Sequence, residues 1–409
     1  MKIYFKKYLP IFNLLKVNSW GFFLNIFQQL LYIPIIVYFS GTSDYASWSV
    51  AMATGAFMTL AGLGLVEYFN VYSVQEVKKS SEKKLSNDLL NFYLLLITLS
   101  IVLISVIYYF FHLKIDSVLL ISFCFYSFLG LLISTLSIYY RAYNDIESYI
   151  SVSNNFKLFE IVLSSMCLII YEDIITATKI LITIRIILLF SLFYVAIPYF
   201  RKLHVNNHFI IDFVWLKKAY LPASGTLGVN VINSITNQYF MLWVIDEYSD
   251  NVFTIFNILR ISLRFVNKFQ NIINYTLYNS YIHKTILTKD ALYMDKLSLM
   301  FSYLIVTLII FTIFLVNHFF VIFYLPAEIL LLLAFESLYL LLFQKESTRL
   351  SSSNNQFKLV FTVLCILFLL LLLHSNNYIS AYFIYFVLLI HIIISLIDER
   401  KKEKGSNES

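Results

Sequence analysis

Little in this chain of 409 residues is charged, bent or reactive. Asp, Glu, Lys and Arg together make up 13% of it, and there are five prolines, nine glycines and three cysteines. The low charge excludes an ordinary soluble domain, since 60% of the residues are hydrophobic and a soluble fold of this length has too little interior to hide them. The scarcity of proline and glycine excludes a chain built of turns and leaves long uninterrupted segments. Cys124, Cys167 and Cys365 each fall inside an apolar run without metal-ligand spacing, so they read as packing residues rather than a disulfide framework or metal site. No HExxH pair, phosphate-binding glycine loop or grouped nucleophile and base occurs, and the seven histidines are scattered. No catalytic residues, cofactor site or metal site are expected.

What is present is one apolar stretch after another. About 20 mostly apolar residues cross the hydrocarbon core as a helix. Twelve stretches of that order run at 12–39, 46–72, 89–111, 117–140, 153–171, 174–197, 222–245, 251–273, 297–316, 321–343, 358–374 and 377–397. Mean hydropathy is +0.77, and no connection between stretches is long enough to fold alone. The basic first residues precede a long span without a cleavage site, which predicts an uncleaved first helix. The lean towards Ile, Phe, Tyr, Asn and Lys matches an AT-rich genome, so the 31 tyrosines carry little weight by number alone.

Charge asymmetry orients the chain. The N-terminus, the even-numbered loops and the tail hold 23 of the 30 basic residues, whereas the opposite loops hold only Lys114 and Lys179 among acids such as Asp44, Asp116, Asp246 and Asp250. Short cytoplasmic loops collect Lys and Arg. The pattern predicts an all-α integral membrane protein of twelve transmembrane helices with both termini cytoplasmic. The net charge of +6 is then explained by those loops and needs no nucleic-acid partner.

The sequence also repeats. At an offset of 212, Tyr8, Leu9, Pro10, Leu15, Val17, Asn18 and Asn25 match Tyr220, Leu221, Pro222, Leu227, Val229, Asn230 and Asn237. Six spans per half is an even number, which gives two parallel six-helix lobes related by an axis along the membrane normal. The expected organisation is an N-terminal lobe at 1–205, a C-terminal lobe at 206–398 and a basic, polar cytoplasmic tail at 399–409.

Polar residues inside the spans are the candidate functional groups. In the eighth span Asn257, Arg260, Arg264, Lys268 and Asn271 share a helical face. Arg260 lies ten residues from Asp250, about 15 Å along the helix, which is near the bilayer centre. A central arginine costs about 2.5–3.5 kcal/mol on insertion scales, so it needs a partner or a watery cavity. Lys268 is close enough to the cytoplasmic end to snorkel. Arg185 is the second deep cation, with a salt bridge to Glu336 as the alternative to a ligand-binding role. Lys157 and Glu160 are three apart and suited to pair with each other. Glu336 and Glu160 are the acids placed to couple transport to protonation. The first span of each half carries amides, Asn18, Asn25, Gln28 and Gln29 in one and Asn230, Asn233 and Asn237 in the other. Such amides either join helices or line a cavity for sugar hydroxyls.

Taken with the Leu60-Ala61-Gly62-Leu63-Gly64-Leu65 end of the second span and the Leu221-Pro222-Ala223-Ser224 opening of the seventh, the architecture resembles the Wzx-type O-antigen and capsular polysaccharide flippases. These belong to the MATE-like multidrug/oligosaccharidyl-lipid/polysaccharide exporter superfamily. Gly62 stands where the family usually has an acid. The resemblance implies two lobes with alternating access in a bacterial cytoplasmic (inner) membrane, carrying undecaprenyl-pyrophosphate-linked oligosaccharide from the cytoplasmic to the outer leaflet. It implies a polysaccharide polymerase and a chain-length regulator as partners besides the lipid bilayer. On this reading Arg260 and Arg264, assisted by Arg185 and Lys268, hold the pyrophosphate, while Asn257 and the amides line the sugar path. An interior-negative membrane favours outward movement of an anion by about 2.3 kcal/mol per charge per 100 mV, so Glu336→Gln is expected to retain function. The alternatives are a membrane-embedded polymerase or acyltransferase of the same pathway, or an exporter of drugs or another polyprenyl lipid.

Overall fold

A computed structural model describes the main chain at 2–112, 116–203, 214–263, 325–351, 356–376 and 379–393, with a few isolated residues between these stretches. All secondary structure among the described residues is helical. By packing the chain divides into two compact units, Met1–Asp250 and Asn251–Ser409.

The first unit begins with α1 (Lys2–Phe39), 38 residues long. Next come α2 (Thr42–Gly55), a tight 3₁₀ stretch (Ala56–Gly62) and α3 (Leu65–Lys78). The sequence reads 46–72 as one span, and in the structure Thr42–Gly62 and Leu65–Lys78 meet there at a bend of 41°. The cause is local. Leu63 and Gly64 both adopt left-handed backbone, at φ 48° and 69°, and end the helical ladder. Gly64 is required there for a second reason, because a Cβ would lie 2.4 Å from the Ala223 carbonyl oxygen.

The helices α4 (Glu82–Phe111), α5 (Ser117–Ala142), α6 (Ile146–Tyr171) and α7 (Ile174–Leu203) follow with short connections. Among the described residues these four are long and apolar enough to cross a membrane, and the bent α2–α3 pair counts as a fifth if taken as one span. Then come α8 (Val214–Ser234), a wide π-helical stretch (Ile235–Tyr239) and α9 (Phe240–Glu247). Single π turns are rare and frequently accompany function.

Within this unit α5 packs on α7 and α2, and α6 packs on both α1 and α7. The faces are inverted relative to a soluble bundle. Ile101, Tyr109 and Phe110 on α4, Phe159, Met166 and Ile170 on α6, and Phe190 and Tyr194 on α7 are exposed, while Asp88, Asn91, Asn154, Glu160 and Ser164 are buried. Large apolar side chains outside and polar ones between helices are what a lipid solvent selects. Cys124 and Cys167 are buried in this packing and Cys365 is exposed.

The described part of the second unit comprises helical residues up to 263, the helix Ala327–Ser351, the helix Gln356–Ser375 and a shorter apolar helix, Ala381–Ile393. Tyr339 stacks on Phe343 at 5.5 Å and packs against Tyr385 at 5.7 Å. Most of the stretch at 297–316 and the tail at 399–409 lie outside the described residues.

Candidate functional site

Each unit holds an ionic group inside otherwise apolar helices. In the first, Glu160 sits midway along α6 with its side chain 3% exposed, and accepts from two cations. Lys157 Nζ lies 2.9 Å from Oε2 and Arg185 Nε, from α7, lies 3.2 Å from Oε1. The Tyr126 hydroxyl of α5 donates to Oε2 at 3.4 Å. Arg185 is further held by Nη1 donating to the Tyr126 carbonyl oxygen at 3.1 Å and by its Cζ lying 3.5 Å from the centre of the Tyr126 ring. That close seat exists because residue 130 is glycine. A Cβ on Gly130 would stand 2.4 Å from Arg185 Nη1.

A hydrogen-bonded chain ties this cluster to α1. Gln28 Nε2 donates to the Tyr32 hydroxyl at 2.9 Å, and that hydroxyl shares a short hydrogen bond with Ser164 Oγ and reaches the Glu160 carbonyl oxygen at 3.3 Å. Ser164 also donates to the Glu160 carbonyl, a bond one turn back along α6. Residues outside the ionic pair therefore set its position, through Tyr32, Tyr126 and Gly130. Sequence reading missed these residues. A glycine facing an arginine across two helices and a tyrosine among 31 carry no local mark.

In the second unit Arg260 and Glu336 form one ion pair. Arg260 Nε lies 2.9 and 3.1 Å from the two carboxylate oxygens of Glu336, and Nη2 lies 2.8 Å from Oε1. Both side chains are 2% exposed. The guanidinium also lies 5.4 Å from the Phe256 ring centre.

The geometry bears on two expectations. The partner of Arg185 is Glu160, not Glu336, because α6 and α7 pack side by side and bring the two within one salt-bridge length. And Arg260 does not present a cation to open space in this conformation. Removing it from water next to hydrocarbon is tolerable only with a counter-ion, and Glu336 supplies one. Glu336→Gln consequently strands a buried guanidinium, so that substitution is no longer expected to be innocuous.

Of the other predicted residues, Gln28 and Asn257 are buried. Asn18, Asn230 and Asn233 are partly exposed, whereas Asn25 is exposed and donates to the Gly21 carbonyl in its own helix at 2.9 Å. Arg264, Lys268 and Asn271, and the side chains of Gln29 and Asn237, lie outside the described residues.

The two ionic groups differ in charge and access. Among the described residues two cations share one carboxylate around Glu160, leaving one positive charge, and Lys157 and Arg185 keep 16% and 20% of their side-chain surface. Among the described residues the Arg260–Glu336 pair is balanced, and both side chains are enclosed. An anionic group could reach the first without displacing a carboxylate. At the second it must compete with Glu336.

The fold has known counterparts. A crystal structure of a MATE protein in complex with Br-NRF aligns over 96% of this chain and 97% of its own, at a TM-score of 0.53 and 13% identity. The MATE multidrug transporter DinF-BH, also solved in a complex, aligns over 96% of this chain and 95% of its own, at a TM-score of 0.60 and 14% identity. At these identities the likeness is one of fold. No family model matches the chain, and no curated protein matches it.

Proposed function

We propose that a chain with this MATE-like fold works as a membrane flippase, moving undecaprenyl-pyrophosphate-linked oligosaccharide repeat units from the cytoplasmic to the outer leaflet for O-antigen or capsule assembly. The observation that carries the reading is the surplus positive charge at Lys157, Glu160 and Arg185, part-accessible at the middle of apolar helices. A lipid-linked sugar has a polar head that cannot cross hydrocarbon and a tail that need not leave it. Its transporter needs a cationic, hydroxyl- and amide-bearing interior within the membrane. Arginine suits a pyrophosphate because its planar fork donates paired, charge-assisted hydrogen bonds. On this reading Arg185 is the principal phosphate contact, Lys157 supports it, and Glu160 keeps both cations solvated when cargo is absent. Arg260 is free to meet an anion only in a conformation that opens its pair with Glu336. Twelve spans, two parallel lobes and cytoplasmic termini belong to the same proposal.

The fold neighbours favour a second reading, export of drug-like compounds, since one of them is a multidrug transporter. A deletion strain separates the two. Arg185→Ala at matched expression is expected to lower surface polysaccharide at least about tenfold, a loss of about 1.4 kcal/mol of binding, and to trap lipid-linked oligosaccharide on the inner leaflet. Ordinary polysaccharide in that variant, with heightened sensitivity to drugs, replaces the first reading with the second.

A further inference from the structure

A cavity of about 420 Å³ lies in the first unit, and none of Lys157, Glu160 and Arg185 lines it. Its walls include Ser43, Ser47, Asp116, Tyr239, Trp243, Asp246 and Asp250, with Ala46, Val50, Leu242 and Ile245 supplying apolar surface. The volume is in the range of small-ligand pockets, about 300–1,000 Å³. Its residues come from the start of α2, the connection between α4 and α5, and the end of α9. These are the helix ends opposite those that carry Lys78, Lys83, Lys84, Arg201, Lys202, Lys217 and Lys218. On the charge asymmetry of the loops this is the outer, exit side.

Acids alone would make only a solvated rim. Here they line a recess together with three aromatic rings, those of Phe111, Tyr239 and Trp243. Tyr239 closes the π-helical stretch and Trp243 follows four residues later in α9, so the two rings lie one turn apart on one side of the helix. Trp243 is braced edge-on by Tyr248 at 5.7 Å. Ser43 and Ser47 are likewise one turn apart on α2. No Lys or Arg belongs to the lining.

We propose that this cavity is an exit site for the sugar head of the cargo, selecting neutral or amino-bearing sugars over acidic ones. The proposal rests on the flippase reading. Carboxylates accept hydrogen bonds from sugar hydroxyls, serine hydroxyls both donate and accept, and an aromatic face takes the apolar C–H side of a pyranose ring. Three carboxylates repel a uronic acid and also the pyrophosphate, so the head group occupies the cavity while the phosphates stay on the cationic side. The cavity and the Lys157–Arg185 cluster thereby divide one amphiphilic cargo by charge.

The test uses full-length protein in detergent, with cellobiose and N-acetylglucosamine as neutral probes and glucuronic acid as the acidic one. The signal is the fluorescence of Trp243, taken as the difference between the parent protein and the Trp243→Phe variant. A saturable response to the neutral sugars and none to glucuronate is expected. Asp246→Asn, a conservative change at an exposed position, should weaken that response about tenfold, as for one hydrogen bond to a charged group. No neutral-sugar response, an equal response to glucuronate, or a response to tetramethylammonium that sugars do not compete away overturns the proposal, the last by giving the cavity to a cation. Flipping of polyprenyl-pyrophosphate-linked oligosaccharide is measured separately in vesicles. Flipping without sugar binding at Trp243 overturns the exit site and leaves the flippase reading. Sugar binding without flipping overturns the flippase reading and leaves a sugar site.

Discussion

Glu160 and Glu336 solve the same problem in opposite ways. Each holds a guanidinium within helices that otherwise show hydrocarbon side chains. Among the described residues the charges around Glu336 balance, and both partners are 2% exposed. Around Glu160 a lysine is added, hydroxyls from two other helices converge, and both cations stay partly open. A balanced, enclosed pair is cheap only while intact, whereas an unbalanced and accessible one is costly until an anion arrives. The contrast teaches that a deep arginine is not by itself a ligand site. What surrounds its counter-ion decides.

The sharpest way to break the contrast is to remove the carboxylate of the enclosed pair. Glu336→Gln leaves Arg260 buried beside an amide and should destabilise the protein by about 3–5 kcal/mol, seen as a fall in the thermal midpoint in detergent. The double variant Arg260→Met with Glu336→Leu should regain most of it. If the double variant is also fully active in export, the pair is structural; lost export with a recovered fold gives it a part in transport. A stable Glu336→Gln protein would mean that the enclosed pair is not the constraint its burial implies.

Next in size is Gly130→Ala, whose methyl group makes the guanidinium of Arg185 swing away, at a cost of about 1–3 kcal/mol through its hydrogen bonds to Glu160 and the Tyr126 carbonyl. In an Arg185→Ala background most of that penalty should vanish, because the clashing atoms are gone. A double-mutant cycle on thermal stability measures the difference, and additive effects would show that Gly130 serves the α5 backbone rather than the arginine.

Tyr32→Phe removes the hydroxyl that links Gln28 on α1 to Ser164 on α6, and should cost about 1–2 kcal/mol in the same assay. It should also reduce export while leaving the Arg260–Glu336 pair untouched, so that removing both Tyr32's hydroxyl and the second pair gives additive losses.

The smallest expected effect lies outside both groups and serves as their control. Partial burial pushes the Asp173 carboxyl up, but hydrogen bonds from the Thr176 hydroxyl and from the Ile175 and Thr176 amides at the start of α7 outweigh it and hold the group below the usual aspartate range. A depressed carboxylate adds stability above its unfolded value and loses it as pH falls through its folded value. Asp173→Asn should therefore lower the thermal midpoint at neutral pH, by the equivalent of about 0.5–1 kcal/mol, and the gap should close on acidification. A gap independent of pH would assign the effect to packing.

Several of these features were legible in the sequence alone. The Lys157–Glu160 pair follows from three-residue spacing on a helix, whereas the break at Leu63 and Gly64 falls inside a run that reads as one span. The acids of the cavity stand out in loops poor in lysine. Long-range pairings were not legible: Arg185 finds Glu160 across 25 residues and Arg260 finds Glu336 across 76. Periodicity says which face of a helix a residue occupies but not which helix lies opposite. The π-helical stretch at Ile235–Tyr239 is equally silent, since nothing in Ile-Thr-Asn-Gln-Tyr separates a wide turn from an ordinary one.

Apolar runs, their spacing and the sidedness of lysine and arginine are properties of the chain itself, because hydrocarbon rewards them segment by segment. They determined that this protein is helical and membrane-like, and they picked out the polar residues that hydrocarbon penalises. Which of those residues are consumed by counter-ions and which stay within reach of a ligand was decided only by helix against helix. That outcome depends on distances of a few ångströms between segments far apart in sequence, and a single glycine or tyrosine on a third helix sets them.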